Sequence, residues 1–309
     1  MDPTALYQSK LTTPGQAVAA IPSGSRLSMG MFAAEPPAVL KAIADRAAAG
    51  GINDVRVYYY ETARTAGDTI FRYELNDRIQ PYCMFVTGVE RALIRRGMED
   101  GGRKVVNCAP STFYQAPRLL IDEIGIDTFV TTVSPMDRHG YFSFGTSNDC
   151  STKVARAAKR LIVEVNKHMP CVNGDGAELH VSEVDAIVEN HVPLLEVPSR
   201  APTAEDEVIG RTIAGLVPDG ACLQMGVGAL PNLVCAELKD RNDLGVHSEA
   251  LCRGSSNWRA PASSTIAARR SIAARPYSPS PWASRTCTTS STTIPPSRAA
   301  RWTTSTIRT

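Results

Sequence analysis

The chain has 309 residues and a formal net charge of +2, with 43% hydrophobic and 21% charged residues. This composition is that of an ordinary globular protein with room for two domains. The chain opens with no basic segment followed by an apolar core, no apolar run approaches membrane-spanning length, and the eight cysteines form no C-x-x-C pair. We therefore expect a cytoplasmic protein with reduced thiols and without a signal peptide, membrane span, disulfide framework or metal site.

Residues 1–200 predict alternating strands and helices. The predicted strands are Arg26–Gly30, Asp54–Tyr60, Lys104–Cys108, Asp127–Ser134 and Leu161–Asn166. The predicted helices are Pro36–Ala49, Val89–Met98, Tyr114–Glu123 and Ser151–Arg160. The run Asp127–Ser134 is β-branched and continuous enough to be buried on both faces, whereas Gly67–Tyr82 has no clear assignment. The alternation predicts an α/β fold in which helices cover a mostly parallel sheet.

A proline-rich segment, Pro193–Thr203, marks a boundary, after which Thr203 and Asp206 form a capping box for a helix that runs to Val217. The stretch that follows predicts a strand, a glycine turn, a helix and a second strand, at Ala221–Met225, Gly226–Gly228, Pro231–Lys239 and Leu244–Glu249. This is half of a doubly wound α/β unit. Such sheets bind ligands at the carboxyl ends of their strands, where both the glycine turn and Glu249 fall.

The glycine turn offers backbone amides at the start of a helix, which suits an oxyanion or a phosphate. Gln224 and Asn232 flank it as possible polar contacts. A dinucleotide-binding fingerprint is a competing interpretation, although that motif requires glycine or alanine where Pro231 stands. A purely structural turn is a third. From spacing alone, Glu249 is more often a solvated surface carboxylate than a nucleophile.

For three other polar residues, the sequence favours structural roles over catalytic ones. His247 faces the side of its strand opposite to Ser248, which favours packing or hydrogen bonding over a role as a base. Asp137 and His139 lie in the segment SPMDRHG, where turn formation by aspartate and glycine explains them better than a catalytic pair does.

The last 57 residues differ in composition from the rest. Residues 253–309 contain nine arginines and no Lys, Asp or Glu, so the residues before them carry a net charge of −7. An arginine-rich nucleic-acid arm, a disordered linker and a segment translated out of frame are three interpretations.

Several segments resemble the acetyl-CoA hydrolase/transferase family, nearest to its 4-hydroxybutyrate-type CoA-transferases. They are YQSKLTT, SPMDRHGYFSFG, EVNKHMP, HVSEVDAIVE, PDGACLQMGVGALPNLV and DLGVHSEA. The resemblance covers about residues 7–252. It implies the CoA-transferase fold, with a complete N-terminal domain in residues 1–200 and the beginning of a similar C-terminal domain in 201–252.

The resemblance also implies the chemistry. Glu249 would be the nucleophile, the Val227 amide would stabilise the oxyanion, and Gly226 and Gly228 would line the CoA site. Met31 lies in the implied substrate loop, where close relatives often carry histidine, so the acyl preference stays open. The implied activity moves CoA between an acyl-CoA and a small free carboxylate, of the 4-hydroxybutyrate/acetate type, through a glutamyl-CoA thioester.

Coenzyme A is then a co-substrate, and no permanently bound cofactor, nucleic acid or membrane is expected. The full-length family implies a homo-oligomer. Two alternatives remain open: an acyl-CoA hydrolase, and a catalytically inactive remnant.

The genetic code favours a frame slip near Cys252. In the frame that starts at the third base of each codon, Trp282 before Ala283 forces glycine, and Trp302 before Thr303 forces aspartate. Residues 271–283 permit H-R-G-K-T-V-F-T-F-A-M-G and residues 287–296 permit Y-D-F-L-H-D-H-P-A, strings that resemble what the family carries after its H-S-E motif. We therefore expect residues 253–309 to be an out-of-frame, disordered tail.

Overall fold

The computed structural model describes residues 2–172, 176–196, 200–246 and 248. The chain forms two compact units, the first ending at Leu194 and the second beginning at Leu195.

The first unit contains a parallel sheet, its covering helices and a separate hairpin. Its helices are α1 (Pro3–Lys10), α2 (Pro14–Ala19), α3 (Pro37–Ala48), α4 (Arg64–Asp68), α5 (Gly88–Glu99), α6 (Ala116–Arg118) and α7 (Ser151–Ala157). Its strands are β1 (Arg26–Met29), β2 (Val55–Tyr59), β3 (Ile79–Cys83), β4 (Asn107–Cys108), β5 (Thr128–Val133), β6 (Tyr141–Ser143), β7 (Arg160–Val165), β8 (Glu178–His180) and β9 (Ala186–Glu189). Short 3-10 turns lie at Phe32–Ala34, Tyr73–Leu75, Phe113–Gln115 and Val181–Glu183.

Seven of these strands form one parallel sheet in the order β4-β3-β2-β1-β5-β7-β9, while β6 and β8 pair antiparallel outside it. The chain extends the sheet outward from β1 through β2, β3 and β4, and then returns to build the other half from β5. The strand order therefore reverses between β1 and β5. In doubly wound folds, ligands bind at the carboxyl ends of the strands beside such a switch point.

Both faces of this sheet are buried. Neighbouring residues point to opposite faces, so Phe129 and Leu161 belong to one apolar cluster, and Val130 and Ile162 to the other. Every residue of β5 is buried, as its continuous apolar pattern predicts. The predicted α/β fold with a mostly parallel sheet is confirmed.

Two segments differ most from the sequence prediction, and the predicted strand Lys104–Cys108 is limited to Asn107–Cys108. Tyr114–Glu123 is not one regular helix: a 3-10 turn and α6 lead into a π-helix, Leu119–Ile124, with Pro117 inside the run. Proline lacks an N–H, which weakens a regular α-helix there. β3 begins in the stretch Gly67–Tyr82, which had no clear assignment, and it contains Pro81, a residue that is unfavourable inside a sheet. Pro81 is tolerated because β4 pairs only with the next two residues, Tyr82 and Cys83.

The second unit contains α8 (Ala204–Leu216), β10 (Cys222–Leu223), α9 (Ala229–Glu237) and β11 (Gly245–Val246). The two short strands are parallel, and Met225 and Cys235 form the centre of a small apolar core. The predicted capping box of Thr203 and Asp206 begins α8. That this unit begins a second CoA-transferase domain remains a prediction. The predicted out-of-frame tail, 253–309, lies outside the described residues.

Candidate active site

The glycine turn connects β10 to α9. Gly228 has φ 124°, a conformation that favours glycine, and it is the N-cap of α9. The helix begins at Ala229, two residues before the predicted start, which places Pro231 third rather than first. Its missing N–H still costs no hydrogen bond because the first four amides of a helix have no partner within it.

Ser248 joins the second strand to this turn. Its buried hydroxyl accepts a hydrogen bond from the Met225 N–H at 3.0 Å and donates one to the Met225 carbonyl at 2.9 Å. Met225 directly precedes the glycine turn, and the pair extends the parallel register of Leu223 with Val246. Ser248, the residue before Glu249 in the sequence, therefore lies next to the turn. Glu249 and His247 themselves lie outside the described residues.

The other predicted residues of the second unit surround this turn. Gly226, Val227 and Gly228 are all exposed, and the Val227 side chain is 51% exposed. Gln224 precedes the turn and is exposed, while Asn232 is half-buried and donates its N–H to the Gly228 carbonyl at 3.2 Å. The structure thus brings these five residues together at one end of the β10–β11 pair.

Met31 belongs to the first unit and follows β1 at the switch point. Its carbonyl accepts from the Ala34 N–H at 2.8 Å and from the Ser147 hydroxyl at 3.4 Å. Two neighbours make this loop, residues 30–35, unusual. Phe32 has φ 44°, which is strained for a bulky residue. Any Cβ on Gly30 would lie 2.4 Å from Thr131 Oγ1, so only glycine fits there.

Glu35 connects this loop to the segment of residues 60–66, which runs from the end of β2 into the first turn of α4. Its two carboxylate oxygens accept hydrogen bonds from the Ala63 N–H at 2.7 Å and from the Ala66 N–H at 2.9 Å. The side chain is 2% exposed, and burial raises the pKa of Glu35 to about 8 although both backbone bonds oppose the shift.

Glu90 holds the end of β2 and the segment that follows it in place. This fully buried carboxylate accepts from the Tyr59 hydroxyl at 2.9 Å and the Thr62 hydroxyl at 2.7 Å, and it completes the capping box of α5 with Thr87. Two buried carboxylates therefore fix the chain where β2 ends. Glu90 also contributes to the raised pKa of Glu35.

Asp137 forms a turn, as predicted. One of its carboxylate oxygens accepts from the His139 N–H at 2.8 Å and the Tyr141 N–H at 2.9 Å. Among the described residues, no group of three or more His, Cys, Asp or Glu side chains could hold a metal ion. No helix in the described ranges is long and apolar enough to cross a membrane.

Sequence reasoning did not identify the roles of Ser248, Glu35 and Glu90. Ser248 has a weak signal, since it directly precedes the predicted nucleophile in H-S-E. Glu35 has none, because its partners are backbone amides about 30 residues away, which every sequence contains. Glu90 has a signal for its capping box, the T-x-x-E pattern that it forms with Thr87, but none for its bonds to Tyr59 and Thr62.

Residues 1–196 match the family model described as the acetyl-CoA hydrolase/transferase N-terminal domain. The succinyl-CoA:cyclohexane-1-carboxylate CoA transferase of Geobacter metallireducens is 33% identical over 248 residues, which are 80% of this chain and 54% of that protein. The 4-hydroxybutyrate coenzyme A transferase of Clostridium kluyveri is 32% identical over 250 residues, which are 81% and 56%. The chain spans about half the length of the curated relatives it matches.

Among solved structures, RipA from Yersinia pestis is 70% identical with a TM-score of 0.82, covering 83% of this chain and 60% of that chain. The RipA variants E249A and M31G have TM-scores of 0.81 and 0.80 at 69% identity, each covering 83% of this chain and 58% of that chain.

Proposed function

The chain belongs to the acetyl-CoA hydrolase/transferase family, and from that premise we propose that the protein is a CoA-transferase acting through Glu249. It would move CoA from an acyl-CoA to a small free carboxylate. The relatives named for succinyl-CoA, cyclohexane-1-carboxylate and 4-hydroxybutyrate support substrates of this class.

The observation that carries the proposal is the pair of hydrogen bonds between Ser248 and Met225. They secure the residue before Glu249 beside the glycine turn, whose amides suit the oxyanion of an acyl-transfer intermediate. This chain also has glutamate at 249 and methionine at 31, the residue types and numbers that the RipA variants replace.

The reaction would proceed by covalent catalysis. The Glu249 carboxylate attacks the thioester carbonyl, forming a mixed anhydride and releasing CoA as thiolate. The thiolate then attacks the glutamyl carbonyl, which leaves a glutamyl-CoA thioester and frees the first carboxylate. The acceptor carboxylate repeats these steps in reverse, so the enzyme carries CoA between two half-reactions.

The other predicted site residues have proposed roles in these steps. The Val227 N–H stabilises the oxyanion, while Gly226 and Gly228 allow the CoA chain to approach the backbone closely. Gln224 and Asn232 supply polar contacts. Met31 contacts the acyl group, and its apolar side chain favours an acyl group without a hydroxyl at the contacting atom.

A hydrolase is the second candidate because water could resolve the same glutamyl intermediate. Measuring CoA release from acetyl-CoA with and without an added carboxylate separates the two activities. We expect the CoA thioester of the added carboxylate to form at a rate well above the rate at which free CoA is released. Free CoA release that ignores the acceptor would support the hydrolase instead.

We further propose that a frame slip near Cys252 replaces most of the second domain. It is supported by the arginine-rich composition after Cys252 and by a coverage of only 54–60% of the relatives. Sequencing the DNA across codons 245–260 tests it: one inserted or deleted base pair, in phase with the alternative frame, is expected. The frame-slip proposal would be overturned if the DNA has no such insertion or deletion and if its alternative frame does not encode residues that resemble the family.

The activity test therefore uses two chains, the 309-residue protein and its frame-restored version. We expect CoA transfer in the restored chain and little in the 309-residue chain. Glu249→Ala should abolish transfer, and Glu249→Gln should reduce it nearly as far, because an amide cannot form the anhydride. The cytoplasmic location and the homo-oligomer implied by the family remain predictions.

A further inference from the structure

The loop after β1 is held in a conformation that it would not adopt alone. Phe32 lies at positive φ, and Gly30 is packed against Thr131 and Ala34. Such strain persists only where the surrounding structure enforces it. Part of that support comes from β5, whose Thr132 hydroxyl donates to the Glu35 carbonyl at 3.1 Å.

Glu35 also holds the segment that follows β2. The Glu35 side chain accepts one hydrogen bond on each oxygen, from Ala63 and from Ala66, in a buried environment. A buried backbone amide that loses its acceptor is costly, so both hydrogen bonds help to hold this segment in place. Glu35 is thus secured to β5 through its backbone and to residues 60–66 through its side chain.

We propose that Glu35 is a positioning residue that couples the loop of residues 30–35 to the segment of residues 60–66. Both follow adjacent strands at the carboxyl edge of the sheet, and the first contains Met31. A displacement at Met31 is therefore transmitted to residues 60–66. For acyl selectivity this inference rests on the proposed function, whereas the coupling itself does not.

Glutamine at position 35 tests the coupling with a minimal change in shape. Both oxygens of a carboxyl group can accept a hydrogen bond, whereas a glutamine side chain has one oxygen and one NH2 group. Glu35→Gln therefore sets the NH2 group against a backbone N–H donor at Ala63 or Ala66. The matched control is Glu164→Gln. That buried side chain accepts both of its backbone amides, Ala38 and Val39, on a single oxygen, which glutamine retains. Its other oxygen accepts from the side chain of Asn190, which can turn over and present its own oxygen to the new NH2 group.

Hydrogen exchange of the 309-residue chain measures the coupling without any activity. In Glu35→Gln, we expect the amides of Ala63 and Ala66 to exchange at least about tenfold faster. Ala34, which donates to the Met31 carbonyl, should also exchange faster. Amides of β5 serve as the reference for global stability. Glu164→Gln should leave both segments unchanged.

A second pair of variants separates coupling from local loosening. Thr132→Val removes the hydroxyl that holds the Glu35 carbonyl. We expect faster exchange at Ala63 and Ala66 in the Thr132→Val chain, and no further increase when Thr132→Val is added to Glu35→Gln. Should Glu35→Gln fail to fold, Glu35→Asp keeps the carboxyl group but is one methylene shorter and cannot reach both amides, and the same pattern is expected. Unchanged protection of Ala63 and Ala66 in these variants, or an effect of Thr132→Val confined to residues 30–35, would overturn the proposal.

The frame-restored chain supplies the functional readout. Glu35→Gln should change the ratio of kcat/KM between a bulky and a small acyl-CoA several-fold, whereas Glu164→Gln should not. Turnover that changes equally for both substrates would refute a role in selectivity. Absence of turnover in every chain would count against the proposed function, yet the exchange result would still decide the coupling.

Discussion

At the residue scale, two buried carboxyl groups of the first unit, Glu164 and Glu35, have raised pKa values. Glu164 is fully buried on β7, and burial raises its pKa to about 7 against the hydrogen bonds from Val39, Asn190 and Ala38. The pKa of Glu35 is raised to about 8 for the same reason. In both cases the folded state binds a proton more tightly than the unfolded chain does.

These shifts predict a pH dependence of stability. A folded pKa above the ordinary value contributes stability that is fully present below about pH 4.5 and is lost as pH rises through 7 to 8. In Glu164→Gln, the loss in the free energy of unfolding between low and high pH should be smaller by on the order of 1 kcal/mol or more, because glutamine keeps the acceptor oxygen and carries no charge. Urea unfolding at pH 5.5 and pH 8.5 measures the difference. An equal pH slope in Glu164→Gln would contradict the assignment.

At the element scale, α8 is apolar on two sides. Gly210 packs on Leu233 of α9, whereas Ile209, Ile213 and Leu216 form an exposed stripe along the helix. A helix with two apolar sides is typical of one that is covered by two layers.

Polar substitution of that stripe should be tolerated. Ile209→Ser with Leu216→Ser should change the free energy of unfolding by about 0.5 kcal/mol or less per site, and aggregation should fall because apolar surface is removed. Gly210→Leu is the control on the other side, where a Cβ would lie 2.9 Å from Leu233 Cδ2, and we expect a loss of about 1–3 kcal/mol. Thermal unfolding and light scattering measure both. A large destabilisation by the serine pair would show that the stripe is already covered.

The elements differ in how far local sequence determines them. The strand Thr128–Val133 follows from its continuous β-branched run, the helix Pro37–Ala48 from apolar periodicity, and the glycine turn from its own residues. β3 could not be predicted, since its tolerance of Pro81 depends on where the neighbouring strand begins. The role of Glu35 depends on the position of two backbone amides 28 and 31 residues away, which no local pattern specifies.

At the scale of the whole molecule, a net charge of +2 conceals two opposite parts. The residues before position 253 carry −7, and the last 57 carry +9. The proposed frame slip would account for both this contrast and the coverage of about half of each relative's length. Restoring the frame should therefore give an acidic protein. Its isoelectric point, measured by focusing, should fall below the value of about 8.1 calculated for the 309-residue chain.

The central claim, that Glu249 carries CoA, is tested most directly by trapping the intermediate. The frame-restored chain is incubated with an acyl-CoA in the absence of acceptor, treated with borohydride, digested and analysed by mass spectrometry. We predict reduction of the Glu249 carboxyl group to an alcohol, with Glu35 and Asp137 unchanged and no product in Glu249→Ala. Reduction at another carboxylate, with Glu249→Ala still transferring CoA, would contradict the account.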